Sequence, residues 1–205
     1  MRKSITEGVE KMNNYWLWRY ERDKKLGRVY CEPKRTDEEM ERVIKESEEH
    51  IKKFISGAKF NTVLDFGCGA GYLCNVWENA IYVGVDIIVE LIAGNRIKYP
   101  HKFFHCIGPQ DKLIGFYELI FTKGVLQHFK DDLLLYWLNE FREHCSNLII
   151  FSPHGSIKGE LQQEGDTASA PCCRRPDDLR VLMESNGWRI VKAEDDNCKI
   201  WAVPK

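Results

Sequence analysis

Residues 63–73, VLDFGCGAGYL, constrain the fold more than any other stretch of the chain. An apolar run ends on Asp65 and Phe66, and glycines then stand at 67, 69 and 71. Glycine at alternating positions allows a tight turn and lets backbone approach a ligand with no Cβ in the way. The pattern is that of a buried strand turning into a helix, although an ordinary tight turn uses the same residues. The following apolar run, IYVGVD, closes on Asp86. That lies about 20 residues downstream, the spacing at which a carboxylate reaches both hydroxyls of a bound ribose. Capping of the next helix would also account for Asp86.

From Asn61 onward, short apolar runs alternate with helical periodicity. The runs TVLDF, IYVGVD, KFFHCI, YELIFTK and NLIIFS read as strands, several uniformly apolar enough to be buried on both faces. Between them, VELIAGNRIKY and DDLLLYWLNEFREH read as helices, with a shorter helix over Gly71 to Glu78. Strand and crossover helix in alternation imply a largely parallel sheet. Arg175-Pro176-Asp177-Asp178 opens a further helix that Gly187 closes, and WRIVKAED and NCKIWAVPK, joined by Asp196-Asn197, read as a terminal antiparallel hairpin.

Upstream, residues 36–58 carry Met40, Val43, Ile44, Ile51, Phe54 and Ile55 at helical spacing. Thr36 with Glu39 forms a capping box and Gly57 a stop. The segment through Pro33 is polar yet holds Tyr15, Trp16, Trp18, Tyr20 and Tyr30, too aromatic for a simple disordered tail. Residues 1–58 therefore read as a cap or lid on a domain spanning 59–205.

Composition narrows the function classes. Thirty basic against 31 acidic residues give a net charge of -1, which provides no global field for nucleic acid or anionic lipid. No run approaches the ~20 apolar residues of a membrane span, and the N-terminus lacks the apolar stretch of a secretory signal. The eight cysteines include no CxxC pair, as expected of reduced thiols in a soluble, cytoplasmic protein. Only the adjacent Cys172 and Cys173 suggest anything else.

The glycines run GxGxG, not the GxGxxG of dinucleotide-binding enzymes, and little chain remains for a second substrate domain. DFGCGAG, then VGVD, then YELIFTKGVLQHF resemble the class I S-adenosylmethionine-dependent methyltransferases over roughly residues 60–205. The resemblance implies an α/β, Rossmann-like open sheet of about seven strands, mostly parallel, with a C-terminal antiparallel hairpin, flanked by helices and extended by an N-terminal helical segment.

It further implies S-adenosylmethionine as cofactor, giving S-adenosylhomocysteine as product. Asp65, Gly67, Cys68, Gly69 and Gly71 would meet its methionine end, Asp86 its ribose and Ile87 its adenine. Asp111 would bond the adenine amino group, while Thr122 and Lys123 would line the methionine portion. His128, in the VLxHF pattern, and His154, past the fifth strand, are the candidate catalytic residues, as general base or as loop-orienting groups.

Tyr15, Trp18 and Arg19 are candidates for holding the acceptor. No DPPY or NPPF sequence follows the fourth strand, which disfavours amino methylation of DNA bases. Asp131 and Asp132 are the only carboxylates placed to suggest a metal, and none is expected. The leading acceptor is an O or N nucleophile on a small molecule or sugar. RNA is an alternative, with Lys158, Arg174 and Arg175 as the local basic cluster. A non-catalytic S-adenosylmethionine-binding partner subunit and a dinucleotide-dependent oxidoreductase are further alternatives.

Overall fold

Seven strands form one sheet in the order β3-β2-β1-β4-β5-β7-β6 in the computed structural model, which describes residues 15–18, 20–22, 24–25, 36–151, 175–195 and 198–205. The strands are β1 (Thr62–Phe66), β2 (Ile81–Asp86), β3 (Phe103–Cys106), β4 (Leu119–Lys123), β5 (Leu148–Phe151), β6 (Trp188–Glu194) and β7 (Lys199–Pro204). The first five pair in parallel, whereas β7 lies antiparallel to both β5 and β6. The order reverses between β1 and β4, so the crevice beyond their carboxyl ends is the topological switch point where open α/β sheets take ligands.

Alternation along the strands divides two apolar layers. On one face Leu64, Phe66, Ile120 and Ile150 pack against α3 (Asp131–His144) and α4 (Pro176–Ser185) through Leu134, Trp137, Phe141, Leu179 and Met183. On the other, Val63, Leu119, Phe121, Ile149 and Phe151 meet Ile51 and Phe54 of α1 (Asp37–Ile55) and Ile92 of α2 (Val89–Lys98).

Helix α1 forms as its pattern dictates. Thr36 accepts from the Glu39 amide and the Glu39 carboxylate accepts from the Thr36 amide, while Ser56 and Gly57 both have positive φ at its end. Its C-terminal half enters the core through Ile51 and Phe54, and Lys192 of β6 donates to the Phe54 carbonyl at 2.9 Å.

One sequence expectation needs correction, and one of the expected strands is less covered than its neighbours. The run KFFHCI is a one-sided edge strand: in β3 only Phe104 is buried, and Phe103 is 57% exposed. With no strand beyond it among the described residues, β3 forms that edge of the sheet. The helix expected over 71–78 shrinks to a 3₁₀ turn, Cys74–Trp77, which Cys74 and Trp77 anchor in the core. The hairpin strands pair as expected, while their connection at Asp196-Asn197 lies outside the described residues.

Candidate functional site

Three loops meet at the switch point. Gly67, Gly69 and Gly71 all take positive φ in the loop after β1, as does Gly124 after β4. A Cβ on Gly67 would lie 2.2 Å from Val125 Cγ2, so the loop rests directly on the segment leaving β4. One on Gly69 would meet nothing within 4 Å among the described residues, because that face of the loop is open.

Gly69 is gripped from both sides. Its amide donates to Asp86 Oδ2 at 2.9 Å and its carbonyl accepts from Asn95 Nδ2 of α2 at 2.7 Å. Asp86 Oδ1 also accepts from the Ile88 amide at 3.0 Å, a bond within the turn that leads into α2; the helix itself has no side-chain cap, so the capping alternative for Asp86 is not what the structure shows. Each carboxylate oxygen has two lone pairs, so this leaves acceptor capacity for a ligand hydroxyl.

The amides of Gly67 and Cys68 both donate to the Val85 carbonyl, that of Gly71 to the Cys68 carbonyl, and that of Gly69 to Asp86. A pyrophosphate site needs the opposite: free N–H groups and the positive end of an α-helix. Here those four amides are spent inside the protein and a four-residue 3₁₀ turn succeeds the loop. These four amides are therefore not offered to a dinucleotide's phosphates.

Asp65 stands beside this loop. It is 3% exposed and lines a cleft with Gly67, Cys68, Tyr72, Lys123 and the Met40, Val43, Ile44 and Ser47 face of α1. Its Oδ2 accepts from the Tyr82 hydroxyl at 2.7 Å. Burial pushes the Asp65 carboxyl up to about 7, with the Tyr82 bond and Lys123 pulling down and the Asp86 charge pushing up. Burial likewise raises Asp86, against the hydrogen bonds from the Ile88, Gly69 and Ile87 amides. A cation arriving beside Asp65 would favour its ionised form.

The other sequence-derived candidates are placed unevenly. Ile87 is half-buried beyond β2, its carbonyl 3.5 Å from Cys106 Sγ. Asp111 is exposed in the turn after β3, accepting from the Gly108 amide at 2.6 Å, and Tyr136 of α3 donates to carbonyls of that turn. Strand alternation separates Thr122 from Lys123. Lys123 lines the cleft, whereas Thr122 is buried on the opposite face of β4 with no hydrogen-bond partner for its hydroxyl among the described residues.

His128 ends the 3₁₀ turn Leu126–His128, and the Trp16 ring stands edge-on to it at 4.9 Å. Tyr15 packs against Trp16 and Trp18. Trp18 is 52% exposed and carries the Arg22 guanidinium on its ring. The structure thus brings part of the aromatic N-terminal segment to one candidate histidine. Asp131 and Asp132 occupy the exposed first turn of α3, where the helix dipole accounts for them. Arg19, His154, Lys158, Cys172, Cys173 and Arg174 lie outside the described residues.

Tyr82 and Asn95 act on the site and were missed from sequence. A tyrosine amid the apolar IYVGVD and an asparagine inside helix α2 are local signals of a buried polar contact, but neither names its partner.

A family model described as a methyltransferase domain matches residues 36–193. The chain belongs to this family. Among solved structures it is similar to magnesium protoporphyrin IX methyltransferase (ChlM) from Synechocystis PCC 6803 with bound SAH, at 17% identity and a TM-score of 0.67 over 99% of this chain and 100% of that one. It is also similar to the glycopeptide N-methyltransferase MtfA complexed with sinefungin, at 8% identity and a TM-score of 0.60 over 78% and 85% of the two chains. Human N-acetylserotonin methyltransferase in complex with SAM is similar at 16% and 0.55, over 71% and 48%. A comparison with curated proteins finds no match. The family match begins at the cap of helix α1.

Proposed function

We propose that the protein is an S-adenosylmethionine-dependent methyltransferase acting on an O or N nucleophile of a small molecule or sugar. One observation carries the reading: a buried carboxyl, Asp65, stands in a cleft beside a glycine loop whose amides are spent. Such a cleft suits a ligand that presents a cation and a ribose, and the open face of Gly69 leaves room for it. The structural neighbours bound to SAH, SAM or sinefungin support the same cofactor.

In this reading Asp65 holds the amino group of the cofactor's methionine portion and Asp86 its ribose, while Lys123 faces the methionine portion. A sulfonium supplies an electrophilic methyl group, so the protein's share of the chemistry is alignment of the nucleophile and exclusion of water. His128 is placed to take a proton from a hydroxyl or amine acceptor, or to orient the loop. Trp16 limits the room beside it and so takes a share in the acceptor wall. Small-molecule acceptors are favoured by the near-neutral charge, and ChlM and MtfA are named for a porphyrin and a glycopeptide.

Calorimetric titration with S-adenosylmethionine, S-adenosylhomocysteine and a nicotinamide dinucleotide, followed by an acceptor screen for homocysteine product, tests the proposal. Micromolar binding of the first two and turnover on at least one acceptor are expected. Preference for the dinucleotide would refute it, and binding without turnover across the screen would favour a non-catalytic partner subunit.

Asp86→Ala should weaken S-adenosylhomocysteine binding by about 1.5–3 kcal/mol for each ribose bond lost. Because Asp86 also holds the Gly69 and Ile88 amides, the same change should lower folding stability by about 1–3 kcal/mol. Urea denaturation beside the titration separates the two effects. Wild-type affinity in the variant would remove Asp86 from the site.

A further inference from the structure

The Tyr82 ring and the Tyr82 hydroxyl have separate uses. The ring lies in the β2 core, 1% exposed and 5.6 Å from the Phe104 ring, where phenylalanine would fill the same space. The hydroxyl is buried too, and a buried hydroxyl is costly unless bonded. Its bond goes to Asp65 Oδ2 at 2.7 Å, across neighbouring parallel strands. Asp65 thus has one oxygen held from the core side while its side chain lines the cleft.

We propose that Tyr82 is a positioning residue for cofactor capture, its hydroxyl fixing one Asp65 oxygen so that the other is presented to the ligand's ammonium group. This rests on the methyltransferase reading of the site.

The surroundings leave that task to Tyr82. The charged and titratable groups acting on Asp65 are Tyr82 and Asp86 from β2 and Lys123 from β4, with Cys68 on the glycine loop and Cys74 on the 3₁₀ turn after it. Asp86 has the wrong sign to help, and it is bonded to Gly69 and Ile88. Burial holds both the Cys68 thiol and the Tyr82 phenol well above their ordinary values, so Tyr82 remains a donor throughout the range where proteins are stable. A donor to the ionised form favours that form, and ionised Asp65 is what an ammonium ligand requires.

The test compares wild type with Tyr82→Phe by calorimetry from about pH 5.5 to about pH 9. The probes are S-adenosylhomocysteine and 5′-methylthioadenosine, which keeps the nucleoside but lacks the amino acid. Affinity for S-adenosylhomocysteine should rise with pH as Asp65 ionises and fall again as the ligand's amine loses its proton. In Tyr82→Phe the acid limb should move up by about one pH unit, and affinity on that limb should fall about tenfold. The alkaline limb belongs to the ligand and should stay in place. Affinity for 5′-methylthioadenosine should be unchanged at every pH.

An unmoved acid limb would overturn the proposal, as would an equal loss for both ligands, which marks a merely structural tyrosine. A wild-type protein that binds neither probe fails at the first titration, and there the methyltransferase reading falls together with this inference. Should Tyr82→Phe not fold, the Asp65 carboxyl carbon can be followed by NMR in wild type. It should titrate near neutrality in step with a slowly exchanging Tyr82 hydroxyl proton, and independent behaviour of the two would count against the proposal.

Discussion

Alanine at Gly67 is expected to remove much of the folding free energy, while alanine at Gly69 should leave a stable protein whose cofactor binding is weakened tenfold or more. Both residues have positive φ, at 78° and 53°, so each substitution incurs about 1–2 kcal/mol of left-handed strain. Their surroundings differ. A Gly67 Cβ would lie 2.2 Å from Val125 Cγ2 and within 3.3 Å of two further atoms of that side chain, which is β-branched and stiff. Overpacking of this kind costs about 1–3 kcal/mol, giving roughly 2–5 kcal/mol for Gly67→Ala. Against a typical total of about 5–15 kcal/mol, that is severe.

A Gly69 Cβ meets nothing within 4 Å among the described residues, so its cost stops at the strain. The open face it would fill is the one assigned to the ligand. Urea denaturation should therefore rank Gly67→Ala well below Gly69→Ala, and calorimetry with S-adenosylhomocysteine should find binding to folded Gly69→Ala weakened tenfold or more. Full affinity in Gly69→Ala would place the ligand elsewhere. Equal destabilisation by both changes would contradict the Val125 contact.

The contrast between these two glycines shows how far the sequence could be read. The spacing of Asp65, Gly67, Gly69, Gly71 and Asp86 points to the candidate site, because a buried parallel strand leading into glycines has few places to go. Strands β1 and β2 fall on the runs TVLDF and IYVGVD, and helix α1 has the cap its residues specify. Periodicity and capping are local physics, written in consecutive residues. The division of labour within the loop depends instead on which amide faces which carbonyl across strands, and no spacing encodes that.

Asp86 illustrates this best: the ribose and capping roles were both open, and the carboxylate bonds the Ile88 and Gly69 amides without capping α2, while retaining acceptor capacity. Tyr82 and Asn95 reach their partners over 17 and 26 residues of sequence, so their contacts wait on the tertiary fold. KFFHCI forms the strand its residues suggest, but its place at the sheet edge is set by the tertiary order, which no apolar run records. Thr122 and Lys123, adjacent in sequence, lie on opposite faces of β4, and only the registered strand shows which of them meets the cleft.

Asp65→Asn is expected to abolish cofactor binding and yet to stabilise the ligand-free protein, increasingly so as pH rises. In the unfolded chain the carboxyl titrates near its ordinary value of 3.8, and in the folded protein near 7. Between those values the folded state binds more protons than the unfolded one, so the group's contribution to stability declines with rising pH. That contribution is fully present below 3.8 and lost by about pH 7. A shift of about three units corresponds to on the order of 4 kcal/mol, set by burial that the Tyr82 bond offsets only in part. Asparagine keeps the shape and can still accept from Tyr82 but never ionises, so it escapes this penalty.

The difference between variant and wild type isolates the effect from other carboxylates, such as Glu118 and Glu194, whose lowered values give the opposite slope at acid pH. Denaturation midpoints should nearly coincide below about pH 3.8 and separate progressively above it, reaching the full difference by about pH 8 in favour of Asp65→Asn. Adding S-adenosylhomocysteine at pH 8 should reverse the order, since a ligand that binds only the native state stabilises it by mass action and the variant would have lost that ligand. A midpoint difference that does not change with pH would mean that Asp65 ionises as readily in the folded protein as in the unfolded chain. The site would then hold a carboxylate already satisfied within the protein, with no cation left to recruit.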